Sequence, residues 1–176
     1  MGEKKEIALR ILGIAFNALF ILFCLSATQL TANDSLLEKV FVKEISFDFD
    51  LDFKDRKTYV FIYNNIIKSS DFEAFKEMDT SDYSIASWGP FKNRIIELSK
   101  TMGVGESDKL RKCLERISKS EYDLPIGAYL IKTKTQKLWM IFGMARYYNE
   151  NKYTRLKYWV YDAETQRLID LVRQGP

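Results

Sequence analysis

Ile45, Phe47, Phe49, Leu51 and Phe53 alternate with Ser46, Asp48, Asp50 and Asp52. A strict period of two over such a stretch predicts a half-buried strand. KDRK at 54–57 interrupts it, and TYVFIYNNII at 58–67 is β-branched and aromatic. Together they predict a β-hairpin in which Leu51 faces Val60 and Phe49 faces Ile62. Three helices follow. Ser70 with Glu73 fits a capping box, and Phe72, Phe75 and Met78 continue at helical spacing. Phe91, Ile95, Leu98 and Met102 stripe a second helix that stops at Gly103 and Gly105. Leu110, Cys113, Leu114 and Ile117 stripe a third.

From Pro125 onward the pattern predicts a four-stranded antiparallel meander, with strands near 126–133, 138–147, 153–162 and 167–172. KTQK, YNENK and AETQ between them suit hairpin turns. Pairing 133 with 138, 147 with 153 and 162 with 167 collects one apolar set on one face. Tyr129 and Ile131 meet Phe142 and Met140; Met144, Phe142 and Met140 meet Leu156, Tyr158 and Val160; Val160 and Tyr158 meet Ile169 and Leu171. A one-residue slip would break that agreement. The fold class expected is α+β: an N-terminal hydrophobic helix, a hairpin, three helices and the meander, with the helices on one side of the sheet.

Ahead of all this stands an apolar run. Lys4, Lys5 and Arg10 precede Ile11–Leu25, where Asn17 is the only polar side chain. With Ser26 and Ala27 the uncharged segment would rise about 25 Å as a helix, a little under the ~30 Å hydrocarbon core. Basic residues before such a segment favour export of the chain beyond it. The expected organisation is a membrane anchor or signal peptide over 1–30, a linker over 31–39 and a single exported α+β domain over 40–176. The domain then lies on the non-cytoplasmic side, held to the membrane through residues 11–27, or secreted or periplasmic if the leader is cut.

Composition narrows the function. Hydrophobic residues at 47% and charged residues at 29% exclude disordered, collagen-like and disulfide-scaffold classes. A net charge of +3 is too balanced to call for a nucleic-acid partner. The absence of histidine removes Ser-His-Asp and Cys-His nucleophile systems and every His-ligated metal site. Cys113 is the one cysteine beyond the leader, so no disulfide forms within the domain, and a small buried apolar role is expected for it.

Three clusters invite a chemical reading. On the second face of the meander, Lys157 falls beside Gly143 and Arg155 beside Ala145, flanked by Trp139 and Trp159. Small residues next to long cations and indoles suggest a shallow trough for an anionic or sugar ligand. Packing of that face against the rest of the protein is the competing expectation. Asp48, Asp50 and Asp52 line one strand face, but the Gly and Glu that a calcium loop needs are replaced by Phe53 and Tyr59. Lys109, Arg111, Lys112, Arg116 and Lys119 spread around the third helix as a solvated surface would. No phosphate loop, CxxC or nucleophile elbow is present.

The sequence thus points to a small non-enzymatic binding or adaptor domain on the outer side of a membrane. The expected partner is a protein or an anionic or glycan ligand, with no cofactor, metal or nucleic acid. The expected ligand-binding residues are Trp139, Lys157, Arg155 and Trp159. A carboxylate-dependent hydrolase of envelope glycan, or an inhibitor of a secreted enzyme, are the alternatives.

Overall fold

The computed structural model describes residues 36–75, 87–119, 123–146, 148–150 and 152–174. Leu36–Pro176 forms one compact unit. Five strands build its sheet in the order of the chain: β1 Phe41–Ser46, β2 Asp123–Lys132, β3 Lys137–Ala145, β4 Arg155–Asp162 and β5 Leu168–Gln174. β1 runs parallel to β2, and the other pairs are antiparallel. The helices are α1 Arg56–Ile62, running on as a π turn over Tyr63–Ile67, α2 Trp88–Ser99 and α3 Val104–Arg116. Short 3₁₀ turns cover Ser70–Phe75 and Lys100–Met102. The fold is α+β with a mixed sheet, and β2–β5 form the expected meander.

The predicted hairpin is not formed. β1 stops at Ser46, with the Phe47 amide giving one last bond to the Lys132 carbonyl at 2.8 Å. The segment read as its second strand is α1 and the π turn. Asp55 caps α1 through the Lys57 amide at 2.9 Å. Thr58, Ile62 and Ile66, four residues apart, are its buried positions. Helical spacing was present beneath a β-rich composition, and burial of that stripe outweighs propensity. β1 instead reaches across the sequence to β2, a parallel pairing that needs a long crossover, here supplied by the helical residues between them.

The β3–β4 register is the expected one, with Phe142 opposite Tyr158. β2–β3 is displaced by two residues, so Tyr129 meets Met140 and Ile131 meets Leu138. From Gly127 to Lys132 this even displacement leaves each side chain on its expected face, and a bulge between Pro125 and Gly127 shifts the pairing of Asp123–Pro125 by one more residue. The cause of the two-residue displacement is the tight turn in which the Thr133 amide bonds the Gln136 carbonyl at 2.9 Å, so that Lys132 already pairs with Lys137. β4–β5 begins as expected but carries a bulge. Tyr161 pairs with Leu168, yet Val160 pairs with Asp170 and Trp159 with Leu171. Ile169 and Leu171 therefore miss their expected places against Val160 and Tyr158.

Helices are not confined to one side. Every residue of β3 from Leu138 to Ala145 is buried, which requires both faces to be covered. On the Phe142 face, Phe72 sets its ring 5.0 Å from Phe142 and 5.2 Å from Phe41, and Tyr59 of α1 bonds Asp170. On the Trp139 face, the buried Cys113 of α3 lies near Tyr161, and α2 packs on α3 and on β2.

The membrane expectation is corrected on one point: among the described residues no helix is long and apolar enough to cross a membrane. Residues 11–27 lie outside the described residues, and no spanning helix is carried into the functional reading.

Candidate functional site

The pairing places Lys157 opposite Gly143 and Arg155 opposite Ala145, as expected. The space beside the small residues is nevertheless filled from within. A Cβ built on Gly143 would lie 3.0 Å from the Trp159 ring and 3.0 Å from the Leu124 carbonyl oxygen. Trp159 is 5% exposed. Lys157 runs under it with Nζ 4.7 Å from the ring centroid and ends 2.6 Å from Asp123 Oδ2. Arg155 lies one pleat further along and bonds Glu150 at 3.3 Å. Trp139 sits at the far end opposite Tyr161, fully buried, its indole N–H without a hydrogen-bond partner among the described residues.

So the structure brings Lys157 and Trp159 into contact, keeps Arg155 beside them and sends Trp139 into the core. Lys157 and Asp123 tie β4 to β2 across the small residues of β3. Removing one partner of such a buried pair typically costs about 3–5 kcal/mol, because it strands the other charge. This ammonium is engaged by the protein's own carboxylate and indole.

The acidic residues of 48–52 serve local structure. Asp50 accepts from the Thr133 and Thr135 hydroxyls at 2.6 Å each and from the Thr135 amide at 2.9 Å. These bonds, the Thr133 hydroxyl first, hold its carboxyl below the usual range. Asp52 accepts from the Lys54 amide at 2.9 Å. No group of three or more His, Cys, Asp or Glu among the described residues is placed to hold a metal ion. Glu106 and Glu164 share the ammonium groups of Lys109 and Lys137. Burial raises the Glu106 carboxyl, but those two lysines outweigh it and the net direction is down. Asp71, Glu97 and Asp162 are lowered as well. Cys113 is fully buried, and desolvation pushes its thiol up to about 12.

The feature that sequence reasoning missed is the bulge and exposed flank of β5, a strand that it did place at 167–172. β5 is the outer strand of the meander, and Leu168, Ile169 and Leu171 are 46%, 39% and 44% exposed. The amide of Leu171 is taken by the carboxylate of its neighbour Asp170 at 2.8 Å. The other Asp170 oxygen accepts from the Tyr59 hydroxyl at 2.7 Å, and that hydroxyl also lies 2.5 Å from the Phe53 carbonyl oxygen. The signal was legible. In LIDLV, two adjacent apolar pairs straddle Asp170, which no period of two can place on one face.

No family model, no curated protein and no solved structure matches this chain.

Proposed function

We propose that this chain is an exported, non-enzymatic binding domain that engages protein partners along the β5 edge. The observation that carries the reading is an outer strand that pairs, among the described residues, with no strand other than β4 and bears three half-exposed aliphatic side chains. Such edges template strand addition, and natural proteins ordinarily blunt them with charge. Export rests on the basic-then-apolar leader of the sequence.

The carboxylate-hydrolase alternative draws less support. Its general acid needs a raised pKa, whereas every described carboxyl with a displaced pKa is displaced downward. Ligand binding at Trp139, Lys157, Arg155 and Trp159 would first have to break the Lys157–Asp123 pair.

Site-specific photocrosslinking in the full chain tests the proposal. A crosslinker at Leu171 should yield an adduct with another protein chain, while one at Glu44 on β1 should yield little. Equal yields from both edges, or no adduct from Leu171, would refute it. Protease accessibility in intact cells checks the export part separately.

A further inference from the structure

We infer that the partner taken by the β5 edge is a second copy of this chain, joined antiparallel, strand to strand. The inference rests on β5 being the binding edge, and it adds what occupies that edge.

The backbone geometry comes first. In an antiparallel ladder an edge residue points both its N–H and its C=O either inward or outward. The Leu171 amide is bonded by Asp170 rather than by a strand, which marks Leu171 as outward-facing. A two-fold axis normal to the sheet at Leu171 would let each Leu171 exchange both main-chain bonds with its copy. Each amide would then trade the Asp170 carboxylate for a carbonyl, and Asp170 would keep Tyr59.

Charge restricts the register. An axis at Asp170 would oppose two carboxylates, whereas the axis at Leu171 sets Leu171 against its own copy, Asp170 against Val172 and Ile169 against Arg173, with no like charges opposed.

Surface area bears on the choice of occupant. Three half-exposed aliphatic residues fall well short of the ~800 Å² per partner of a stable interface. An unstructured peptide would also have to meet an ordering cost of about 2–5 kcal/mol from that small strip. A second β5 is already ordered and brings an identical apolar strip, and two-fold closure is the commonest assembly. The opposite edge of the sheet, β1, presents Lys43 and Glu44 as exposed residues, both in ion pairs. Association should therefore stop at two rather than continue into a fibre.

Sedimentation of the full chain over a wide concentration range, with amide exchange read at each concentration, tests this. The expected result is a weak monomer–dimer equilibrium with concentration-dependent protection at Leu171. Leu171→Lys should move the midpoint by about tenfold or more, because edge lysines oppose strand pairing. Leu171→Thr, which retains β propensity, should weaken it less, and Glu44→Gln should leave it unchanged. A chain that stays monomeric throughout, or a dimer indifferent to Leu171→Lys and unprotected at β5, overturns the inference. If wild-type chain is monomeric while the Leu171 crosslinker still captures a different protein, the second-copy assignment fails and the binding edge stands. If neither assembly nor capture depends on Leu171, both fail.

Discussion

The two edges of this sheet are finished differently. β1 buries Phe41, whose ring meets Phe72, Tyr129 and Phe142, and keeps exposed Lys43 and Glu44 in ion pairs with Asp71 and Lys132. β5 holds inward through Asp170 and Val172 and leaves Leu168, Ile169 and Leu171 half exposed. One edge is sealed by aromatic packing and charge. The other is held by a polar clasp, with a bulge deciding which side chains face solvent. The lesson is that an edge strand can be anchored firmly and still be open, because anchoring depends on its inner residues and openness on the outer ones.

The comparison breaks most visibly under truncation. Phe41 is 7% exposed, and Phe41→Ala should cost about 3–5 kcal/mol, as core aromatic truncations do. Leu171→Ala should stay within about 0.5 kcal/mol, as exposed changes do. Urea denaturation of both variants decides it, and similar losses would show that β5 is packed rather than open. Gly127→Ala is a finer probe of the β1 seat. Its Cβ would lie 2.6 Å from the Phe41 ring, so that ring must shift, at a cost of about 1–3 kcal/mol. An unchanged midpoint would mean that Phe41 is loosely held.

Two groups beside these edges should also act at opposite ends of the pH scale. Near β1, burial raises the Asp71 carboxyl, but hydrogen bonds from Lys43 and Tyr129, each 2.5 Å long, bring it below 3.8 overall. Its stabilising share is present above that value and is lost as pH falls through the lowered one. Near β5, burial and then the Asp170 bond push the Tyr59 hydroxyl from 10.0 up to about 12. A raised phenol contributes fully below pH 10.0, and its share is lost as pH rises through about 12. Thermal unfolding across pH should show Asp71→Asn flattening the acid limb and Tyr59→Phe the alkaline limb. At neutral pH Tyr59→Phe should cost about 1 kcal/mol for its lost bonds. Asp71→Asn also releases Tyr129, whose phenol is raised by burial and then by its bond to Asp71, so the decisive variant is Tyr59→Phe: a change in its acid limb instead would contradict the assignment.

Where the sequence was legible, periodicity and burial agreed. Leu110, Cys113, Leu114 and Ile117 were read as one stripe, and all four are buried. The β3–β4 register and the neighbourhood of Lys157 followed from side-chain alternation alone. Periodicity does not show how a large side chain turns, so the gap beside Gly143 read as room for a ligand, whereas Trp159 lies in it. The hairpin reading failed for another reason. The alternation of 45–53 reflects a short strand and then a loop whose Asp50 and Leu51 dock on the β2–β3 turn, through Thr133, Thr135 and Gln136. A helix cap at Asp55 and a four-residue spacing were written into the next segment, under residues that favour strands.

A small effect is also expected from removing one particular residue of β5. Deleting an interior residue from a strand ordinarily flips everything beyond it to the other face. Ile169 should be the exception, because it is the extra residue of the bulge. Tyr161 would still pair with Leu168. Asp170 would follow directly opposite Val160, Leu171 opposite Trp159 and Val172 opposite Tyr158, all on their present faces. The Tyr59–Asp170 bond would survive, and stability should change by less than about 1 kcal/mol. Deleting Leu171 instead would bring Val172 opposite Trp159 and off the Tyr158 face, and should cost clearly more. Bulges also twist an edge away from partners, so the Ile169 deletion should lower the concentration at which chains associate. Paired measurements of thermal midpoint and sedimentation on the two deletions separate these effects. Equal destabilisation by both would show that the bulge is integral to β5 rather than an interruption of it.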